Sequence, residues 1–182
     1  ALCLAESLHA IGHCDARDQI ERYWRWFKDG HLSATGAPGE VHASPDVAKA
    51  LATFRWRGLP TAGSHDPKDV AATSLPRVLA AVLFAGNDAA AAIALAAECS
   101  RTTHQSPVVL DACRYLAAML VGALRGAAPA DVLDPSFEPA PGLWSARPLK
   151  PETLAVLKAR ATASDPAQPA VPADVLHAVV NA

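Results

Sequence analysis

Residues 92–126, AIALAAECSRTTHQSPVVLDACRYLAAMLVGALRG, leave little freedom in how this chain can fold. Apolar residues recur at helical spacing on both sides of a short polar segment. Ile93, Leu95, Ala96 and Cys99 precede it, and Val109, Ala112, Cys113, Leu116, Leu120, Ala123 and Leu124 follow it. That spacing gives a helix with one buried face, so the stretch predicts two helices joined by a polar elbow, Thr102-Thr103-His104-Gln105. Ser106-Pro107 suits the opening of the second helix: serine can cap free N–H groups, and proline fits the first helical position. Gly126 suits its end. A histidine flanked by hydroxyls between two apolar helices is where a cleft could form. The pattern alone also describes a polar turn with an exposed imidazole, and that plainer reading weighs more.

The rest of the chain reads the same way. Residues 2–11 predict a helix with Leu4, Leu8 and Ile11 on one face, stopped by Gly12. Asp15 can cap a second helix that carries Ile20, Tyr23, Trp24 and Phe27 and ends at Asp29-Gly30, with Asp18 in its first turn. The three aromatics there suit a packing anchor. Ser44-Pro45-Asp46 starts a third helix that runs to about Trp56. Residues 31–43 and 58–69, with their glycines and prolines, read as loops. Residues 74–85 predict an apolar helix with Pro76 in its first turn, and Asp88 caps the helix leading into the elbow. After Gly126 proline and alanine dominate, with a helical turn near 131–133, a surface helix at 151–161, a linker at 164–172 and a last short helix at 173–181. No stretch sustains the alternation of a strand. The expectation is an all-α protein with a compact core over residues 1–126 and a divergent Pro/Ala-rich tail over 127–182 belonging to the same domain.

Composition narrows the function classes. The 182 residues are 51% hydrophobic and 19% charged, a globular balance. A net charge of −2 with no basic stripe argues against nucleic acid. The apolar run at 78–99 is broken by Gly86-Asn87-Asp88, and the next helix carries Asp111 and Arg114, so neither suits a membrane span. Cys3, Cys14, Cys99 and Cys113 form no CxxC pair and read as reduced core residues of a cytoplasmic protein. His9, His13, His42 and His65 show no metal-ligand spacing and read as exposed. The chain opens on Ala1 inside a helical pattern and ends on Val180-Asn181-Ala182 with no stop signal. Both ends therefore read as cuts through a longer protein, and the loss of core partners there predicts a shallow thermal transition.

Several segments resemble the ADP-ribosylglycohydrolases, the group of the dinitrogenase reductase-activating glycohydrolase. They are Ala96-Ala97-Glu98-Cys99-Ser100-Arg101-Thr102-Thr103-His104, then Asp111-Ala112-Cys113-Arg114-Tyr115 through Gly126. Tyr23-Trp24-Arg25-Trp26-Phe27 with Gly30-His31-Leu32-Ser33 and Thr35-Gly36 is a further such segment, and Ala1-Leu2-Cys3-Leu4-Ala5-Glu6-Ser7-Leu8 another. The resemblance implies an all-α fold with two divalent cations, magnesium or manganese, in a central cleft. It implies hydrolysis of the bond joining ADP-ribose to a modified protein side chain, so ADP-ribose or an ADP-ribosylated protein is the implied partner.

The same resemblance exposes departures. The family's metal ligands come from Thr-Asp-Asp before the first apolar helix and Asp-x-Asp-Thr near the C-terminus, and neither motif occurs in this sequence. Hard cations need such oxygens, so the expectation is that this chain binds no metal pair and, as given, does not hydrolyse. The family's Gly-Asn-Gly phosphate loop and Ser-Leu-Met-Arg helix start align with Ala71-Ala72-Thr73 and Ser74-Leu75-Pro76-Arg77. Its Phe-Asp-Ile-Gly aligns with Gly39-Glu40-Val41-His42. Carried over by position, the substrate-binding candidates are His104, Thr103, Ser74, Arg77 and Glu40. The alternatives are a non-catalytic ADP-ribose-binding relative and a helical protein-interaction module.

Overall fold

The computed structural model describes residues 1–162; the expected linker at 164–172 and helix at 173–181 lie outside the described residues. Nine α-helices order the described chain: α1 (Leu2–Ile11), α2 (Ala16–Asp29), α3 (Pro45–Arg57), α4 (Val78–Ala85), α5 (Ala89–Ser100), α6 (Pro107–Leu124), α7 (Pro129–Val132), α8 (Leu143–Ala146) and α9 (Pro151–Thr162). A 3-10 turn, Leu75–Arg77, leads into α4. Among the described residues no strand occurs, and the fold is all-α.

Local chemistry sets several boundaries. Asp15 Oδ1 accepts from the Arg17 and Asp18 amides at 2.8 and 3.0 Å, which satisfies free donors at the start of α2. Asp88 does the same for α5 through the Ala91 amide at 2.9 Å. Gly30 ends α2 at φ 73°, and an added Cβ would lie 2.8 Å from the Ala37 carbonyl carbon, so only glycine fits that turn. Ser106 departs from expectation. The residue before a proline is held near extended backbone, and here the Ser106 hydroxyl is buried without capping the helix or bonding any other group.

The core has two lobes around the α5–α6 pair. Small side chains let helices approach closely: Ala92, Ala96, Ala112, Ala117 and Ala118 pack with Val78, Val82, Ile93, Val109 and Val121 between α4, α5 and α6. The second lobe joins α1, α2 and α3 through Leu4, Leu8, Ile20, Tyr23, Leu51 and Phe54, with Cys99 of α5. Leu95 packs against both lobes. Helix α6 is long and apolar enough to cross a membrane, yet more than half of it is buried here as the central core helix.

The segment after Gly126 returns to α6. Asp111 Oδ2 accepts from the Lys150 amide at 2.5 Å, and Arg114, paired to Asp111 at 2.9 Å, also donates to the Pro148 and Arg147 carbonyls. Phe137 rests over Gly122. Helix α9 is the surface helix expected: Glu152, Ala155 and Lys158 are exposed, and Thr153 and Leu157 form its buried face. Helix α8 at Leu143–Ala146 was not foreseen; Trp144 stacks on Tyr115 with centroids 6.4 Å apart.

Candidate functional site

The elbow between α5 and α6 is a buried structural joint. Thr102, Thr103, His104, Gln105 and Ser106 are all buried, and His104 is 4% exposed, so the plainer expectation of an exposed imidazole does not hold. Two features bury it. The Ser100 carbonyl accepts from the Thr103 and His104 amides at 3.0 and 2.9 Å, which tightens the end of α5. The loop at residues 61–64 then lies alongside: the Ala62 amide donates to the Thr102 carbonyl at 3.2 Å and the Gln105 amide to the Ser64 carbonyl at 3.0 Å. The Gln105 side-chain amide adds bonds to the Thr61 and Gly63 carbonyls, each 3.0 Å.

A polar chain crosses the elbow. The Arg77 guanidinium donates to Thr103 Oγ1 at 2.5 Å, Thr103 Oγ1 lies 2.7 Å from His104 Nδ1, and His104 Nε2 lies 2.5 Å from Asp46 Oδ2. Thr73 Oγ1 donates to Asp46 and lies 3.0 Å from His104 Nε2. The directions are consistent throughout. Thr103 accepts from Arg77 and donates its own proton to Nδ1, so the neutral imidazole carries its proton on Nε2 and gives it to the Asp46 carboxylate. Burial, and then the nearby Arg77 charge, push the His104 pKa down. Burial works against the Asp46 carboxylate, yet hydrogen bonds from Thr73, Ser44 and His104 hold its pKa below the ordinary value.

This chain ends at a cavity of about 430 Å³ lined by Pro45, Asp46, Lys49, Lys68, Asp69, Thr103 and His104 among others. Concave sites for small molecules have this size, with few polar groups set in apolar walls. Of the five residues carried over from the sequence, His104 and Thr103 line it directly. Arg77 stands one residue behind, bonded to Thr103, stacked over the Tyr23 ring at 5.0 Å, and facing a neighbouring cavity of about 370 Å³ beside Thr73. Ser74 is buried against Cys113 with Oγ 3.4 Å from Sγ, beneath the site. Glu40 is exposed in the loop before α3 and is not among the residues lining the cavity.

Asp46 was missed. In the sequence it is one acid in the first turn of a helix, which reads as a favourable partner for the helix dipole. Its pairing with His104, 58 positions away, exists only once α3 packs beside the elbow. His9, His13, His42 and His65 are exposed, as expected.

A pair of divalent cations needs several carboxylate oxygens converging on one point. Around the elbow the acids on the cavity wall are Asp46, already engaged by Thr73 and His104, and Asp69. Among the described residues no three His, Cys, Asp or Glu side chains converge to hold a metal. The donor set described here does not fit the dinuclear centre that the resemblance implies.

A profile described as ADP-ribosylglycohydrolase matches residues 1–181. The chain is 27% identical over 149 residues to the ADP-ribosylarginine hydrolase Tri1 of Pseudomonas putida (strain GB-1), covering 80% of this chain and 40% of that protein. It is 24% identical over 141 residues to the ADP-ribosylarginine hydrolase Tri1 of Serratia proteamaculans (strain 568), covering 78% of this chain and 38% of that protein. The chain thus spans well under half the length of these curated relatives. A solved ADP-ribosylglycohydrolase-related protein complex contains a chain that superposes with a TM-score of 0.72 at 26% identity, covering 98% of this chain and 54% of that one.

Proposed function

The chain belongs to the ADP-ribosylglycohydrolase family, and on that premise we propose that the cavity beside His104 receives the ADP-ribose of an ADP-ribosylated side chain. Arginine is the modified residue by analogy with relatives named ADP-ribosylarginine hydrolases. The observation that carries the reading is the polar chain Arg77–Thr103–His104–Asp46, which delivers a fixed imidazole and a carboxylate to the wall of a 430 Å³ cavity.

The chemistry suits that ligand. A carboxylate such as Asp46 accepts hydrogen bonds from ribose hydroxyls, and the Lys49 and Lys68 ammonium groups on the same wall attract a pyrophosphate. The buried Arg77 adds positive potential from behind. In the family a divalent pair would polarise the attacking water. Because the described donors do not fit such a pair, we assign this chain binding and orientation, and no hydrolytic step.

Calorimetry of ADP-ribose against the 182-residue chain tests the reading. The expected result is saturable binding that His104→Ala weakens at least about tenfold, or 1.4 kcal/mol. No heat at millimolar ADP-ribose, with a folded protein, overturns it and leaves the helical interaction module. The exposed Leu79, Leu83 and Phe84 on α4 favour that second reading. Release of ADP-ribose from an ADP-ribosylated arginine by the isolated chain would overturn the restriction to binding.

A further inference from the structure

Away from His104, two cysteines face each other across the junction of the α1–α2 turn with α5. Cys14 sits in the four-residue turn between α1 and α2, and Cys99 in the last turn of α5. Their sulfurs are 3.6 Å apart although 85 positions separate them in sequence. The Gln19 side-chain amide, fully buried, lies 3.1 Å from Cys14 Sγ and 3.6 Å from Cys99 Sγ. Both cysteines are free thiols. Cys14 also lines an open cavity of about 880 Å³, whereas Cys99 is buried behind it.

We propose that Cys14 and Cys99 are a redox site, which hydroperoxides convert to a reversible intramolecular disulfide with Cys14 as the attacking sulfur. The sulfurs must close from 3.6 Å to about 2.05 Å, the length of a disulfide bond. Side-chain rotation in a short turn supplies movement of that size. The two thiols have different roles. Cys14 is half-buried, the more accessible member, and accepts hydrogen bonds from Gln19 and from the Cys99 thiol, both of which favour its thiolate. Bonding to Cys99, first, and to Gln19 lower its pKa against the cost of burial; its bond to Cys14 and burial raise that of Cys99, which stays protonated.

The step balances. The Cys14 thiolate attacks the terminal peroxide oxygen, the O–O bond breaks, and a sulfenic acid forms with release of hydroxide from hydrogen peroxide, or alkoxide from an organic hydroperoxide, which takes up a proton to become water or the alcohol. Cys99 sulfur then attacks Cys14 sulfur, the S–O bond breaks, and the leaving hydroxide departs as water with the Cys99 proton. Two thiols lose two electrons, and one hydroperoxide is reduced. In a thiol-reducing compartment such a disulfide is transient, as suits a sensor more than a staple.

The site also touches the elbow. The Cys99 carbonyl accepts from the Thr102 hydroxyl at 3.2 Å, and the following Ser100 carbonyl accepts from the Thr103 and His104 amides. Drawing Cys99 toward Cys14 therefore pulls on the turn that aims His104.

The test treats the reduced full chain with stoichiometric hydrogen peroxide, then blocks free thiols and maps peptides without reduction. The expected product links the Cys14 and Cys99 peptides within one chain and reverts with dithiothreitol. It persists in Cys113→Ser and is absent in Cys14→Ser. Four reduced thiols after treatment, Cys14 driven to sulfinic acid beside a reduced Cys99, or a link between chains would each overturn the proposal. A second measurement needs no variant: iodoacetamide should label Cys14 in the native reduced protein at least about tenfold faster than Cys3 or Cys113. Equal labelling rates would also overturn it.

Discussion

Gly63 lies against the backbone of His104 with no room for a side chain. A Cβ at Gly63 would stand 2.5 Å from the Thr103 carbonyl carbon and 2.7 Å from His104 Cα, and closer still to the His104 amide nitrogen. All three atoms belong to main chain that is itself buried and hydrogen-bonded. The loop at 61–64 is thus the clamp that holds the elbow, and its close approach requires glycine.

Gly63→Ala should cost at least about 3 kcal/mol, the upper part of the overpacking range, because backbone atoms must move. Gly122→Ala makes the control. The Cβ there meets the far edge of the Phe137 ring, at 2.7 Å from Cε1, and a ring can tilt, so about 1 kcal/mol is expected. Urea unfolding of both variants decides; equal losses would contradict the assignment of the 61–64 loop as the clamp.

Asp46→Asn should weaken ADP-ribose binding at least about tenfold, whereas Glu40→Gln should change it less than about twofold. Asp46 is hydrogen-bonded to His104 on the cavity wall, and Glu40 is exposed outside it. Titration calorimetry of the two variants compares them directly. A larger effect from Glu40 than from Asp46 would contradict the site as drawn.

That contrast shows what the sequence carried and what it did not. Helix ends with local causes were legible, because Asp15, Asp88, Gly12 and Gly30 act within a few residues of themselves. His104 and Thr103 were legible through the resemblance. Asp46, Gly63 and Gln105 were not, since each acts on the elbow from a distant place in the chain, or through backbone carbonyls that no side-chain pattern records. Helix α9 was legible as a surface helix, but the face that it buries was not, for a related reason. Its burial depends on Asp111 and Arg114 of α6 holding residues 147–150 in place, which its own weak apolar pattern does not reveal. Glu40, placed by motif alignment, is exposed in a loop and is not among the residues lining the cavity.

Arg77→Met should raise the His104 pKa toward the ordinary imidazole value of about 6.5. Burial lowers that pKa most, and the Arg77 charge lowers it further. Methionine keeps much of the apolar stem over Tyr23 while removing the charge. NMR titration of the His104 ring protons gives the midpoint directly. A midpoint that stays put or falls would mean that Arg77 does not act on the imidazole through its charge.

Acid should destabilise the protein in two stages, with His104 responsible for the first. A folded pKa below the unfolded value of 6.5 means that the unfolded chain takes up this proton first as pH falls. The stability that the neutral imidazole provides is therefore complete above about pH 6.5 and is lost as pH drops through the lowered folded value. Asp46, also lowered, holds its contribution above the ordinary carboxylate range and gives it up only in stronger acid. Thermal melting should show a steady Tm between roughly pH 7 and 8 and a decline beginning near pH 6.5. In His104→Gln the first decline should flatten while the steeper acid loss stays, because glutamine can still donate to Asp46 but cannot take up a proton. An unchanged profile in that variant would remove His104 from the titration and with it the neutral, Nε2-protonated state assigned to the elbow.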